Sequence, residues 1–215
     1  MERSPVTSVL REPEGTPGGA LVLTHGRGAD PYDLKPLLDI LDPARRLLGI
    51  LPRGPLLLPP GGHHWYIVPR VGFPDLTTFV ASFGDLAEHL SSVLDDHGLS
   101  WDRTVVGGFS QGAVMSYAIA LGAGQLRPLG VLAFSGFLPS VEGFDLALAD
   151  RAGLPVSISH GTLDPVIPLT FGRDARDRLT AAGLAVRYRE DAVGHTITPG
   201  ALAQAKTVLE EALPV

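Results

Sequence analysis

The chain has 215 residues, 45% of them hydrophobic and 19% charged, a formal net charge of -6 and no cysteine. That length suits one well-buried core better than two, so a single domain over 1–215 is expected. Without cysteine there are no disulfides, thiolate metal sites or cysteine nucleophile, and acidic charge spread without long blocks is not the basic footprint of a nucleic-acid binder. No apolar run reaches the length of a membrane span and residues 1–5 carry no apolar leader core, so a cytoplasmic protein is expected.

In chain order, residues 6–10 predict a short edge strand, closed by the turn-rich 14–19. Residues 20–24 are apolar without alternation, the pattern of a strand buried on both faces. They end in a loop with two glycines, His25-Gly26-Arg27-Gly28. Helical spacing follows over 33–41, where Pro36 is tolerated because it falls in the first turn. A strand is expected over 46–51. The stretch 52–74 is rich in proline and glycine around Trp65 and Tyr66, which argues against regular structure, and loops of this length in compact domains usually carry function. From Leu76, apolar residues at Phe79, Phe83, Leu86, Leu90 and Leu94 keep helical spacing as far as a stop at Gly98.

Residues 104–109 then read as a strand and 113–121 as a helix. A strand over 130–135, a short helix over 144–152 and a strand over 156–160 follow. A helix over 169–182 stops at Gly183, 185–190 forms the last strand, and a closing helix over 199–213 begins at Pro199. Strands alternating with helices imply right-handed crossovers and a mostly parallel sheet with helices on both faces.

The centre of this pattern is Gly108-Phe109-Ser110-Gln111-Gly112, between a strand and a helix. A sharp strand-to-helix turn strains the backbone at its apex, and the residues two before and two after must be small for strand and helix to approach; both are glycine. Working residues of open parallel sheets collect beyond the carboxyl ends of the strands. Ser110, Asp164 and His195 each follow a predicted strand, in the chain order Ser, Asp, His of α/β-hydrolases. A serine hydroxyl is a weak nucleophile and needs an imidazole to take its proton, the role expected of His195. A buried carboxylate then fixes the imidazole tautomer and stabilises its cation, the role expected of Asp164. The oxyanion formed on attack calls for two backbone N–H groups. That of Gln111 is one, and the glycines around Arg27 make its N–H the other, with Gly26 and Gly28 as alternatives. Trp65, Tyr66 and Val166 are expected around the substrate pocket, with Trp65 either walling the acyl pocket or pinning the loop.

The remaining histidines read differently. His25 and His160 end strands beside glycine and are expected to be packed, hydrogen-bonded core groups. His63 and His64 are adjacent, so their rings point apart, and no matching cluster of metal ligands accompanies them. His89 and His97 fall on a predicted helix, and so do Asp145, Asp150, Asp174 and Asp177, away from strand ends.

Five stretches in order, LTHGRGAD at 23–30, LPRGP at 51–55 leading to GGHHWY, GGFSQGA at 107–113, HGTLDPVIP at 160–168 and GHTI at 194–197, resemble the phospholipase/carboxylesterase family of α/β-hydrolases, relatives of the acyl-protein thioesterases and bacterial lysophospholipase-like esterases. The resemblance implies a minimal α/β-hydrolase fold, the Ser110, Asp164 and His195 triad, and hydrolysis of short- to medium-chain acyl esters without a cofactor. A small-molecule ester is the expected partner. With about two dozen residues between Ser135 and His160 there is no room there for a large lid domain. Thioester hydrolysis or acyl transfer would use the same machinery, and a catalytically silent ligand-binding module on the same fold is the alternative from another class. Positive mean hydropathy leaves room for a homodimer.

Overall fold

The computed structural model describes residues 3–124 and 126–214. The apolar runs form a seven-stranded sheet, built from β1 (Thr7–Arg11), β2 (Gly19–Thr24), β3 (Leu47–Arg53), β6 (Thr104–Phe109), β7 (Gly130–Phe134), β8 (Pro155–Gly161) and β9 (Ala185–Asp191). The spatial order is β1-β3-β2-β6-β7-β8-β9. Only the β1–β3 pairing is antiparallel. A separate two-stranded hairpin, β4 (Leu56–Leu57) and β5 (His63–His64), lies within the stretch expected to be wholly irregular.

Helices α1 (Lys35–Leu41) and α5 (Pro199–Ala212) cover one face of the sheet, burying Leu38, Leu41, Ala205 and Val208 against Leu21, Leu23 and Leu132. Helices α2 (Leu76–Asp96), α3 (Gln111–Leu121) and α4 (Leu169–Ala181) cover the other, through Leu86, Leu90, Val114, Ala118 and Leu179. This is the α/β-hydrolase arrangement. Every residue of α3 is buried, as expected of a helix that is apolar all round. The helix expected over 144–152 does not form; a single 3₁₀ turn, Leu148–Arg151, stands in its place. Phe144 instead packs edge-on against Phe79 and Phe83 of α2, with ring centroids 5.1 and 5.0 Å away. Among the described residues no helix is long and apolar enough to cross a membrane.

Two close approaches fix the centre of the fold. A Cβ on Gly108 would overlap Thr24 Oγ1, and one on Gly112 would overlap the Thr24 carbonyl oxygen. Thr24 Oγ1 in turn donates into the turn, lying 2.9 Å from Gly107 O and 2.7 Å from Gly112 O. Gly112→Ala is therefore expected to lower the unfolding free energy by more than about 3 kcal/mol or to prevent folding. Gly84→Ala, on α2 where a Cβ meets nothing within 4 Å, should be neutral or stabilising by about 0.5–1 kcal/mol. Urea titrations of the two variants check the pair.

Just beyond β2, the fully buried His25 ring lies 2.7 Å from Gly26 O through Nδ1 and accepts the Gly54 N–H at Nε2, 3.0 Å away. Burial is the main cause that pushes its pKa from 6.5 down to about 4, against the opposing pull of Gly26 O. The unfolded chain therefore binds a proton here between about pH 6.5 and 4 that the folded chain does not. The resulting stability is present above pH 6.5 and is lost as the pH falls to about 4, a change on the order of 3 kcal/mol. Urea unfolding across this range should show that loss, and His25→Gln should flatten it.

Candidate active site

Ser110 stands at the junction of β6 and α3 with φ 56 and ψ -119, a strained conformation of a kind that typically costs about 1–3 kcal/mol. Its N–H is held by Phe134 O at 2.9 Å, and its carbonyl accepts from Val114 N at 3.3 Å. Buried strand and buried helix thus clamp the turn from both sides.

Asp164 and His195 sit on the loops after β8 and β9. His195 Nδ1 lies 2.6 Å from Asp164 Oδ2, and the Asp164 side chain is fully buried. Its Oδ1 accepts the N–H groups of Val166 at 2.8 Å and Ile167 at 2.9 Å. Burial raises the Asp164 carboxyl, but the His195 hydrogen bond and the Ile167 and Val166 N–H groups together outweigh it and hold the pKa below the usual carboxylate value. The two loops are laced together by Thr162 N to Asp191 O, 2.8 Å, and Leu163 N to Val193 O, 3.0 Å. Gly161 is required at this crossing, because a Cβ there would overlap Gly194 O. His160, buried as expected, donates from Nε2 to Ile167 O at 2.8 Å and lies 3.5 Å from Asp164 Oδ2.

His195 and Asp164 are brought together, and Ser110 is not in the same hydrogen-bond chain. Among the described residues Ser110 Oγ shares no hydrogen bond with His195, whose ring packs on that of Phe109, centroids 4.6 Å apart. Such bonds commonly tighten only when substrate is bound.

The N–H groups of Arg27 and Gln111 have no acceptor among the described residues. That of Gly28 is taken by His63 O at 2.7 Å, which removes one alternative oxyanion donor. The loop carrying Arg27 is zipped to the hairpin, since His63 N also donates to Ala29 O at 2.8 Å.

A cleft of about 370 Å³ opens at Ser110 and Gln111. Its wall is largely apolar, from Tyr66, Val68, Val71, Phe137, Val166 and Ile167, with Arg27 at the edge. Tyr66 and Val166 are thus at the cleft, whereas Trp65 is not among its lining residues, which corrects its placement at the pocket and leaves the second of its two expected roles. Its indole is fully buried behind the site, where Nε1 donates to His25 O at 2.9 Å and the ring lies 5.2 Å from that of His25. Trp65 pins the loop rather than lining the cleft. The Gln111 side chain, unassigned from sequence, joins the same structure: Oε1 accepts the Trp65 N–H at 3.0 Å and Nε2 donates to Tyr66 O at 2.8 Å. Phe137 was also missed, although its position just beyond β7 is a strand-end signal of the kind that selected Asp164. Val68 and Val71 carry no comparable signal.

A model of the Phospholipase/Carboxylesterase family matches residues 7–213. Acyl-protein thioesterase 1 of Debaryomyces hansenii is 29% identical over 157 residues, covering 69% of this chain and 67% of that protein. The putative hydrolase MhqD of Bacillus subtilis is 26% identical over 200 residues, covering 93% of this chain and 96% of its own. Among solved structures, esterase PE8 superposes with a TM-score of 0.84 at 26% identity over 98% of this chain and all of that one. The Bacillus cereus carboxylesterase gives 0.82 at 23% identity, covering 96% of this chain and 94% of its own. A sheet whose strand-end loops carry these groups, with a family match running over nearly the whole sequence, makes the chain a member of the Phospholipase/Carboxylesterase family and a hydrolase of the esterase/thioesterase type.

Proposed function

We propose that the chain is a serine carboxylesterase that hydrolyses short- to medium-chain acyl esters through an acyl-enzyme on Ser110. The observation that carries this reading is the 2.6 Å contact between His195 Nδ1 and the buried Asp164 carboxylate, beside a serine on a strained strand-to-helix turn. With the Nδ1 proton donated to Asp164, Nε2 is the free lone pair that takes the proton of Ser110 Oγ. Oγ bonds to the ester carbonyl carbon, and the carbonyl π pair becomes an oxyanion held by the N–H groups of Arg27 and Gln111. When the oxyanion collapses, the bond to the alcohol oxygen breaks and His195 returns its proton to that oxygen. Water, deprotonated by His195, then attacks the acyl-enzyme, and the proton passes back to Ser110 as the acid leaves. A cleft of about 370 Å³ is at the small end of ligand pockets, which supports modest acyl groups.

A thioester substrate is a second reading, favoured by the likeness to a protein named acyl-protein thioesterase 1. Turnover of matched oxyester and thioester on one preparation ranks the two. The test of the mechanism is labelling by a fluorophosphonate. The native chain should be labelled once, and Ser110→Ala should lose both the label and at least about 10³-fold in kcat. Unchanged labelling of the variant would reject the assignment.

A further inference from the structure

The residues around Ser110 and His195 divide by charge. Arg27 lines the cleft at Ser110, and its guanidinium has no carboxylate partner among the described residues. The acid nearest to it in sequence, Asp30, faces another groove, with Arg53 and His63, and accepts the Tyr32 N–H at 2.8 Å. Asp164 is buried and engaged by His195, Val166 and Ile167. The residues lining the cleft therefore include one cationic residue, no acidic one and otherwise largely apolar ones, and the charge of Arg27 also reaches the buried His64, whose pKa is lowered by burial and then by that charge. His195 does not line this cleft. It lines a second groove of about 260 Å³, with Phe109, Leu34, Leu37 and Ile197, and the charged side chain there is Asp33.

This sorting follows the two halves of an ester, on the reaction proposed above. His195 gives its proton to the departing alcohol, so the alcohol half lies on the His195 side. The acyl half, bonded to Ser110, stays on the side of the Arg27 cleft. A carboxylate on the acyl half meets an unpaired guanidinium, whose planar fork suits bidentate carboxylate binding. A carboxylate on the alcohol half meets Asp33 instead.

We infer that Arg27 is a specificity residue that selects esters whose acyl chain ends in a carboxylate, the half-esters of dicarboxylic acids. Its backbone N–H serves the oxyanion and its side chain reads the far end of the same acyl group. Because the guanidinium is exposed, the gain is moderate and screened by salt.

The experiment compares kcat/KM for monoethyl adipate with that for ethyl hexanoate, which has an acyl chain of equal carbon number, in the native chain, Arg27→Gln and Arg27→Glu. The native chain should prefer the half-ester by about 5- to 10-fold. The ratio should fall to about one or below in Arg27→Gln, fall further in Arg27→Glu, and shrink in the native chain as salt is raised. A matched pair with the carboxylate on the alcohol half, 4-(butanoyloxy)butanoate against butyl butanoate, should show no such preference. Turnover of the first pair with a ratio unmoved by either variant overturns this inference and leaves the esterase reading intact. So does an equal preference for the carboxylate on the alcohol half. No turnover of any ester together with no fluorophosphonate labelling overturns the esterase reading and this inference with it.

Discussion

The site depends on how closely three backbones approach at Ser110. Strand β6 must pass into α3 without an intervening loop, and the end of β2 must lie against both. Gly108 and Gly112 leave no side-chain volume where Thr24 sits, and Thr24 Oγ1 hydrogen-bonds the carbonyls of Gly107 and Gly112 from that space. The left-handed φ of Ser110, 56, follows from this geometry. A free chain would relax it. Burial of the whole of α3 between sheet and α2 supplies the opposing free energy and keeps the turn in a conformation that non-glycine residues rarely adopt.

From this turn a hydrogen-bond network runs outward through the Gln111 side chain. Its amide bonds to Trp65 N and Tyr66 O, and Trp65 Nε1 bonds to His25 O. The turn at Ser110, the 52–74 loop and the loop carrying Arg27 are therefore one connected structure. Each member is buried, so a broken link would leave a desolvated polar group without a partner, at about 1–3 kcal/mol. His25 closes the network on the far side by bonding to Gly26 O and Gly54 N. Its neutral, low-pKa ring makes the geometry of the proposed oxyanion loop depend on the same contacts that hold the fold.

The inner strands were legible because a parallel sheet covered on both faces buries nearly every side chain of them, giving apolar runs such as Leu21-Val22-Leu23 that need no tertiary information to recognise. The helices were legible by period, except where packing opposed it. Over 144–152 the apolar spacing is satisfied by Phe144 packing against Phe79 and Phe83, and a helix this short is marginal without such packing of its own face. The strand-end rule brought Asp164 and His195 to one place because it follows from the topology of the sheet. The cleft wall was less legible. Whether an aromatic of the 52–74 loop faces the cleft or the core depends on the path of an irregular backbone, and Trp65 and Tyr66, adjacent in sequence, have different surroundings for that reason.

The carboxylate of Asp164 shows how a buried charge is retained in such a site. A desolvated carboxyl would otherwise take up a proton and become neutral. Here three N–H groups, from His195, Val166 and Ile167, face its two oxygens, and their combined effect exceeds that of burial. Two of the three come from the turn on which Asp164 itself sits, so the anion is stabilised before His195 is considered. That turn is held from below by His160 through Ile167 O. An anion secured in this way can orient the His195 imidazole without being consumed by it, and the lacing of the β8 and β9 loops at Gly161 sets the distance between them. The Asp164–His195 pair is thus held at the sheet edge by contacts that begin in the strands themselves.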